Sequence, residues 1–348
     1  IRKDLKNMAN KKILISDPTL RDGNHAISHQ LTAEQIAKYC KAAENAGVPI
    51  VEVGHGNGLG ASSLNVGIAA TSDKKMLTVA RKHLVKSKLG IHVIPGFATI
   101  DKDINNAIDY GVDVFRIASH CSEADVTENH ISYCSRMGKT VFGVLMMSHM
   151  LDEKGLLEQG LKMQDYGAEG LILMDSSGNY LPADVIKKVS HLVDNLNIPI
   201  GFHAHNNLGM GVANSIAAVE SGAKILDGCA RGFGAGPGNA QLEVLVAVLD
   251  RMGYETGIDL YKMLEASDIA ETELMKHIPT TNSTSIVSGL SGVFAGFLKP
   301  VNRAAAKFNV DPRDLFFNLG QRGVVAGQED LIIEEAKKLQ NEVKRKVS

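Results

Sequence analysis

Eight times along this chain a short apolar run is followed by an amphipathic stretch, and that alternation leaves few architectures open. The runs fall at 13–17, 50–54, 90–95, 114–119, 140–147, 170–175, 200–205 and 225–229. They are rich in Val, Ile, Leu and Met and do not alternate apolar with polar, as expected of parallel strands covered on both faces. Helical periods lie between them at 33–46, 73–87, 101–110, 123–137, 154–166, 182–195, 211–221 and 240–252. Thr32 with Gln35 reads as a capping box, and Gly47, Gly111, Gly138, Gly167 and Gly222 stand where helices stop. Eight such units predict an α/β chain closed into a (β/α)8 TIM barrel, with a doubly wound open sheet as the competitor. Polar clusters recur at nearly every strand end, as around a ring, and this favours the barrel.

Beyond residue 258 the strand signals stop. Helical patterns at 259–275, 288–299, 301–308, 312–319 and 330–346, with a Gly-rich loop at 320–327, predict a mostly helical C-terminal domain. The expected division is a catalytic barrel at 1–258 and a helical domain at 259–348. An apolar fraction of 44% supports a folded core, and a net charge of −2 gives no bulk attraction to nucleic acid or anionic membrane. Four cysteines without a C-x-x-C, and no leader pattern, predict a reduced cytoplasmic protein without disulfides. No apolar run approaches the roughly 20 residues that span a bilayer. Residues 1–11 are polar, with Met8 as a candidate start.

In a barrel of this kind the chemistry sits at the C-terminal ends of the strands. The ends here carry Arg21, Asp22 and His25; Glu52, His55 and Asn57; Arg116, Ser119 and His120; Met146 to His149; Asp175 to Ser177; His203 and His205; and a loop from Gly232 to Asn239. Imidazoles at i and i+2 of a strand face the same way, so His203 and His205 can reach one cation, with Asp22 as a carboxylate ligand from elsewhere. Three protein ligands leave positions open for substrate oxygens. The set suits Mn²⁺, Co²⁺, Zn²⁺ or Fe²⁺ and tolerates Mg²⁺.

Arg21 is placed to neutralise charge developing on a substrate oxygen, with a salt bridge closing the barrel mouth as the plainer alternative. His25 is a candidate general base, against an exposed loop histidine. Asn239 is expected to cap the helix at 240–252, or to give a further metal contact. His55, His120 and His149 read at least as well as structural histidines. Cys229 reads as packing and Met146–Met147 as barrel lining.

These motifs resemble the DRE-TIM metallolyase superfamily, and within it the 4-hydroxy-2-oxovalerate aldolases. The resemblance rests on Asp17-Pro-Thr-Leu-Arg-Asp-Gly-Asn-His25, Glu52-Val-Gly-His-Gly-Asn-Gly-Leu-Gly, His120-Cys-Ser-Glu-Ala-Asp, Leu145-Met-Met-Ser-His-Met, His203-Ala-His205 and Gly327-Gln-Glu-Asp. It implies retro-aldol cleavage of 4-hydroxy-2-oxopentanoate to pyruvate and acetaldehyde without an organic cofactor. It also implies Asp22, His203 and His205 as ligands of Mn²⁺ or a similar ion, Arg21 on the pyruvate enolate and His25 as base at the C4 hydroxyl. Ser176 matches a position near the substrate carboxylate.

The resemblance further implies a homo- or hetero-oligomer whose helical domain docks an acylating acetaldehyde dehydrogenase. Two departures stand out: Phe294 occupies the place of a family tyrosine, and Asn206 that of a histidine. A phenyl ring donates neither proton nor hydrogen bond. The alternatives are a Claisen-type enzyme of the superfamily, such as an isopropylmalate synthase, homocitrate synthase or hydroxymethylglutaryl-CoA lyase relative, and a weakly catalytic scaffold subunit for a dehydrogenase. His25 and the aldolase-like tail argue against the first. Intact Arg21, Asp22, His25, His203 and His205 argue against the second.

Overall fold

A computed structural model describes residues 11–325 and 327–347; the candidate start Met8 lies outside them. Eight parallel strands close into a barrel in sequence order, β8 pairing back onto β1. They are β1 (Leu14–Leu20), β2 (Ile50–Val53), β3 (Lys88–Val93), β4 (Val114–His120), β5 (Thr140–Met146), β6 (Gly170–Asp175), β7 (Ile200–Ala204) and β8 (Ile225–Asp227).

Around the barrel lie α1 (Gly23–Ala26), α2 (Ala33–Ala46), α3 (Asp73–His83), α4 (Asn105–Asp109), α5 (Glu128–Arg136), α6 (Glu153–Asp165), α7 (Pro182–Asn195), α8 (Gly211–Glu220) and α9 (Leu242–Arg251). The tail holds α10 (Leu260–Ile269), α11 (Ser283–Leu290), α12 (Leu298–Phe308), α13 (Pro312–Gln321) and α14 (Glu329–Val347). Among the described residues no helix is long and apolar enough to cross a membrane. The capping box at Thr32 forms as expected, and the five helix-stop glycines all take positive φ.

Strand periodicity divides the core in two. One set of side chains, including Val51, Leu89, Ile91, Phe115, Ile117, Leu171 and Phe202, packs outward into the shell of helices. The other, Ile50, Val114, Ala118, Phe142, Val144, Ile172, Met174 and Ile225, fills the barrel interior. Two residues on from interior Ile50, Val114 and Ile225 stand Glu52, Arg116 and Asp227, all buried. Barrel interiors are usually layered with branched aliphatics; here one layer is ionic.

Several boundaries differ from the sequence expectation. β1 runs on to Leu20 because its register shifts between Asp17 and Leu20. The Asp17 carboxylate holds that irregularity, accepting the Thr19 N–H at 2.9 Å and the Tyr39 hydroxyl at 2.6 Å. α3 ends at His83, because the Glu44 carboxylate takes the N–H groups of Lys86 and Ser87 and turns the chain into β3.

The helix expected at 288–299 does not form as one piece. α11 stops at Leu290, the chain reverses at Gly292 with φ 66°, and helix resumes only through Ala295–Phe297 into α12. Tertiary bonds to the barrel mouth compete with the helix there. The Ala295 N–H donates to the Ser176 carbonyl at 2.9 Å, and His149 Nε2 donates to the Gly292 carbonyl at 3.0 Å.

The helical tail divides between two cores. α10 packs on α2, and its Met263 and Ala266 join the core of the barrel. Val293, Phe297, Val301, Leu315, Phe316, Leu319 and Ile332 form a second, separate cluster.

Candidate metal centre and active site

The site is assembled from the ends of β1, β7 and β8. After Leu20 the chain turns on Pro18, whose carbonyl accepts the N–H groups of Arg21 and Asp22 at 3.0 and 2.7 Å. Asn24 pins this turn to the end of β2, donating to the Gly54 carbonyl at 2.8 Å. Asp22 is thereby buried at the mouth, where its carboxylate meets the two imidazoles of β7. One ligand atom from each of Asp22, His203 and His205 lies within 4.8 Å of the others.

The Asp22 carboxylate accepts Arg21 Nη1 at 2.8 Å, Asn239 Nδ2 at 2.5 Å and the Ala235 N–H at 3.2 Å. Burial raises its pKa, but Arg21, then His205, His25 and His203 prevail and hold it well below the usual carboxylate range. His205 is pushed down to about 3 by burial, so its ring is neutral at pH 7 with a lone pair to give.

The donor set fits a divalent cation. His203 donates from Nδ1 to Asp227 at 2.8 Å, which turns Nε2 into the free nitrogen. His203 Nε2, His205 Nδ1 and Asn239 Oδ1 are buried and have no hydrogen-bond partner. Orphaned buried acceptors cost on the order of 1–3 kcal/mol each, and a shared cation satisfies them together. A carboxylate behind a ligating imidazole is the usual support of such a site.

The Gly-rich loop closes on Asp22. A side chain at Gly234 would collide with Asn239 Nδ2 and stand 2.5 Å from the Asp22 carboxylate, so only glycine fits there. Asn239 does not cap a helix: α9 begins at Leu242, and the Asn239 side chain is turned inward to Asp22 and to Cys229 Sγ. The pull of the buried carboxylate outweighs the cap.

His25 sits on α1, half-buried beside the trio. Burial lowers its pKa to about 4, so it is a neutral base at pH 7. Its ring meets the Phe294 ring edge-on with centroids 6.4 Å apart, so the tail segment does reach the site. Lys299 fastens α1 from the other side, donating to the carbonyls of His25 and Ala26 at 3.3 and 2.7 Å. A Cβ on Gly56 would come within 2.6 Å of the His25 ring, which fixes glycine at that close approach.

Ser176 is buried; its hydroxyl accepts the Met147 N–H at 2.9 Å and reaches the Met174 carbonyl only at 3.5 Å. Met146 packs in the barrel interior, whereas Met147 leaves the strand with φ 54° and does not line it as expected. His55 is satisfied structurally, donating to the Gly67 carbonyl and stacked on His29 at 3.6 Å. His120 bonds Ser122, and His149 bonds Ser177 and the tail. All four cysteines are free and buried.

Two inward residues were not singled out from the sequence. Asp227 supports His203, and buried His92 on β3 feels Arg21, Arg116 and His203. A lone acid and a lone histidine inside apolar runs were the only signals.

Comparison with known proteins agrees with this geometry. The HMGL-like family profile matches residues 12–270, and the DmpG-like communication domain profile matches residues 279–341. Among curated relatives, the 4-hydroxy-2-oxovalerate aldolase of Spirochaeta aurantia is 63% identical over 97% of this chain and 99% of its own length. That of Pectobacterium atrosepticum is 60% identical over 94% and 96%. The carboxyl transferase domain of Rhizobium etli pyruvate carboxylase, solved with pyruvate and biocytin, shares the fold at a TM-score of 0.81 and 15% identity, over 96% of this chain and 61% of that one. With a closed eight-strand barrel, a helical tail reaching its mouth and near full-length identity of this order, the chain belongs to the 4-hydroxy-2-oxovalerate aldolase family.

Proposed function

We propose that this chain is a divalent-metal-dependent aldolase that cleaves 4-hydroxy-2-oxopentanoate, or a related 4-hydroxy-2-oxo acid, to pyruvate and acetaldehyde through the pyruvate enolate. The observation that carries the reading is the convergence of Asp22, His203 and His205 beside Arg21 and His25. In this reading Asp22, His203 and His205 hold the ion, Mn²⁺ first with Co²⁺, Mg²⁺ or Zn²⁺ as substitutes, and the unpartnered oxygen of Asn239 gives a further contact. The bound ion supplies Lewis-acid polarisation of the 2-oxo group.

The chain's own groups do the rest. Arg21 keeps Nη2 unpartnered and buried, a donor left for the oxygen on which enolate charge develops. Neutral His25 takes the proton of the C4 hydroxyl as the C3–C4 bond breaks, and the electron pair of that bond passes into the enolate. Phe294 shields this imidazole without competing for its proton. The Ser176 hydroxyl proton is held only at 3.5 Å, leaving it to the substrate carboxylate. The match to a DmpG-like communication domain supports an acylating acetaldehyde dehydrogenase as partner on the helical tail.

The test is purified chain with 4-hydroxy-2-oxopentanoate and Mn²⁺, with pyruvate and acetaldehyde both quantified. Equimolar products, lost with a chelator and restored by Mn²⁺, are expected. No pyruvate with any of the four ions would end the reading, and consumption of acetyl-CoA would replace it with a Claisen reaction.

A further inference from the structure

The ionic layer inside the barrel is joined through one side chain. Arg116, on β4, is only 1% exposed and ranks among the largest fully buried side chains. Its fork is engaged with Asp227, Nη1 at 2.9 Å from one oxygen and Nη2 against the other. Nη1 also donates to the Ser16 hydroxyl at 3.1 Å. Its Nε stands 3.1 Å from Glu52 Oε2, an ion pair whose atoms are not aligned as a hydrogen bond. Each carboxylate then reaches onward. Asp227 accepts His203 Nδ1, and Glu52 accepts Arg21 Nε. Arg21 in turn holds Asp22.

Two arms therefore leave one guanidinium and end on ligands of the same candidate metal site. We infer that Arg116 is a positioning residue that sets the metal affinity of His203 through Asp227 and, more loosely, the placement of Arg21 through Glu52. The inference rests on the metal-site reading above and adds the residue that holds the site in shape.

The two arms differ in stiffness. A bidentate guanidinium–carboxylate pair fixes distance and plane together, so Asp227 can present one oxygen to His203 in one orientation. That contact fixes the tautomer that leaves Nε2 for the ion. The Glu52 arm is an unaligned ion pair and constrains Arg21 less. Ions this deep are costly unless fully partnered. Lysine keeps the charge of Arg116 but not the fork.

The experiment is Mn²⁺ titration of the full chain, with melting temperature read alongside and hydrogen–deuterium exchange at the methyl of pyruvate as the second readout. Arg116→Lys and Asp227→Asn are expected to weaken Mn²⁺ by about 10- to 100-fold each. Because Arg116 acts through Asp227, the double variant is expected to weaken it no further than Asp227→Asn alone. Glu52→Gln is expected to keep Mn²⁺ affinity and slow methyl exchange.

Unchanged Mn²⁺ affinity in Arg116→Lys, with only a lower melting temperature, would overturn the inference, as would fully additive losses in the double variant. Should Arg116→Lys not fold, unchanged affinity in the near-isosteric Asp227→Asn overturns it alone. Absence of methyl exchange in the unsubstituted chain counts against the aldolase reading and leaves the Mn²⁺ arm as the test of Arg116.

Discussion

The two parts of the barrel interior are built on opposite principles. On β4, β5 and β6 the inward residues Val114, Ala118, Phe142, Val144, Ile172 and Met174 fill the space with carbon. Toward β2, β7 and β8 the same inward parity carries Glu52, Asp227, His203 and His205, with Asp22 joining them from the turn after β1 and Arg116 reaching across from β4. The apolar part stabilises the fold by burial. The ionic part gains little net stability, since desolvation offsets most of its attraction. What it provides is a neutral His205 imidazole and an ionised Asp22 carboxylate aimed at one point, with the His203 ring held there by Asp227. The division runs within strands as well as between them: Ile50 and Ile225 are apolar on β2 and β8 two residues before Glu52 and Asp227, and Arg116 is the ionic residue of β4.

That contrast can be broken by substitution. The largest expected effect is on the ionic side. His203→Ala should abolish bound metal and turnover together while the chain stays folded, read by metal analysis and circular dichroism; retained metal with full activity would break the assignment. Next is His25→Ala, expected to cut aldol cleavage by about 100- to 10,000-fold with metal content unchanged, since it removes the base and no ligand. Unchanged turnover would remove His25 from the chemistry.

On the apolar side the readouts exchange places. Ile172→Ala, at a fully buried position, should lower unfolding free energy by about 2–5 kcal/mol in urea titrations while metal affinity holds. A loss of metal with little loss of stability would show that the two parts are not separate.

The smallest effect lies at the joint between barrel and tail. Burial lowers His149 from 6.5 to about 4 while its ring bridges Ser177 and the Gly292 carbonyl. The unfolded chain then binds this proton more tightly than the folded one. Stability from this group is complete above pH 6.5 and is lost as pH falls toward 4, on the order of 1 kcal/mol for a ring that is only half-buried. The drop in melting temperature between pH 7.5 and 5 should shrink in His149→Gln; an identical drop would place that sensitivity elsewhere.

The apolar side was also the legible one. Eight continuous Val/Ile/Leu runs can pair in few ways, so the barrel follows from periodicity, and β6 and α7 fall where expected. His203 and His205 are legible because two-residue spacing on a strand fixes a shared face. Asp227 and His92 were not, because a single polar residue in an apolar run carries no periodic signal; only the barrel's closure brings Arg116 of β4 onto Asp227 of β8. The sequence leaves Asn239 between a cap and a metal contact, because its place before a helical pattern says nothing of a carboxylate 217 positions away in the chain. The break at 291–297 was hidden for the same reason: Ser176 and His149, which hold it open, are far off in sequence.

The claim on which the rest depends is that one cation sits among Asp22, His203 and His205. Anomalous diffraction from crystals of the full chain grown with Mn²⁺ tests it directly. A single strong peak about 2.0–2.2 Å from one atom of each residue is the expected result. A peak elsewhere, or none at this point with Mn²⁺ in excess, would contradict it.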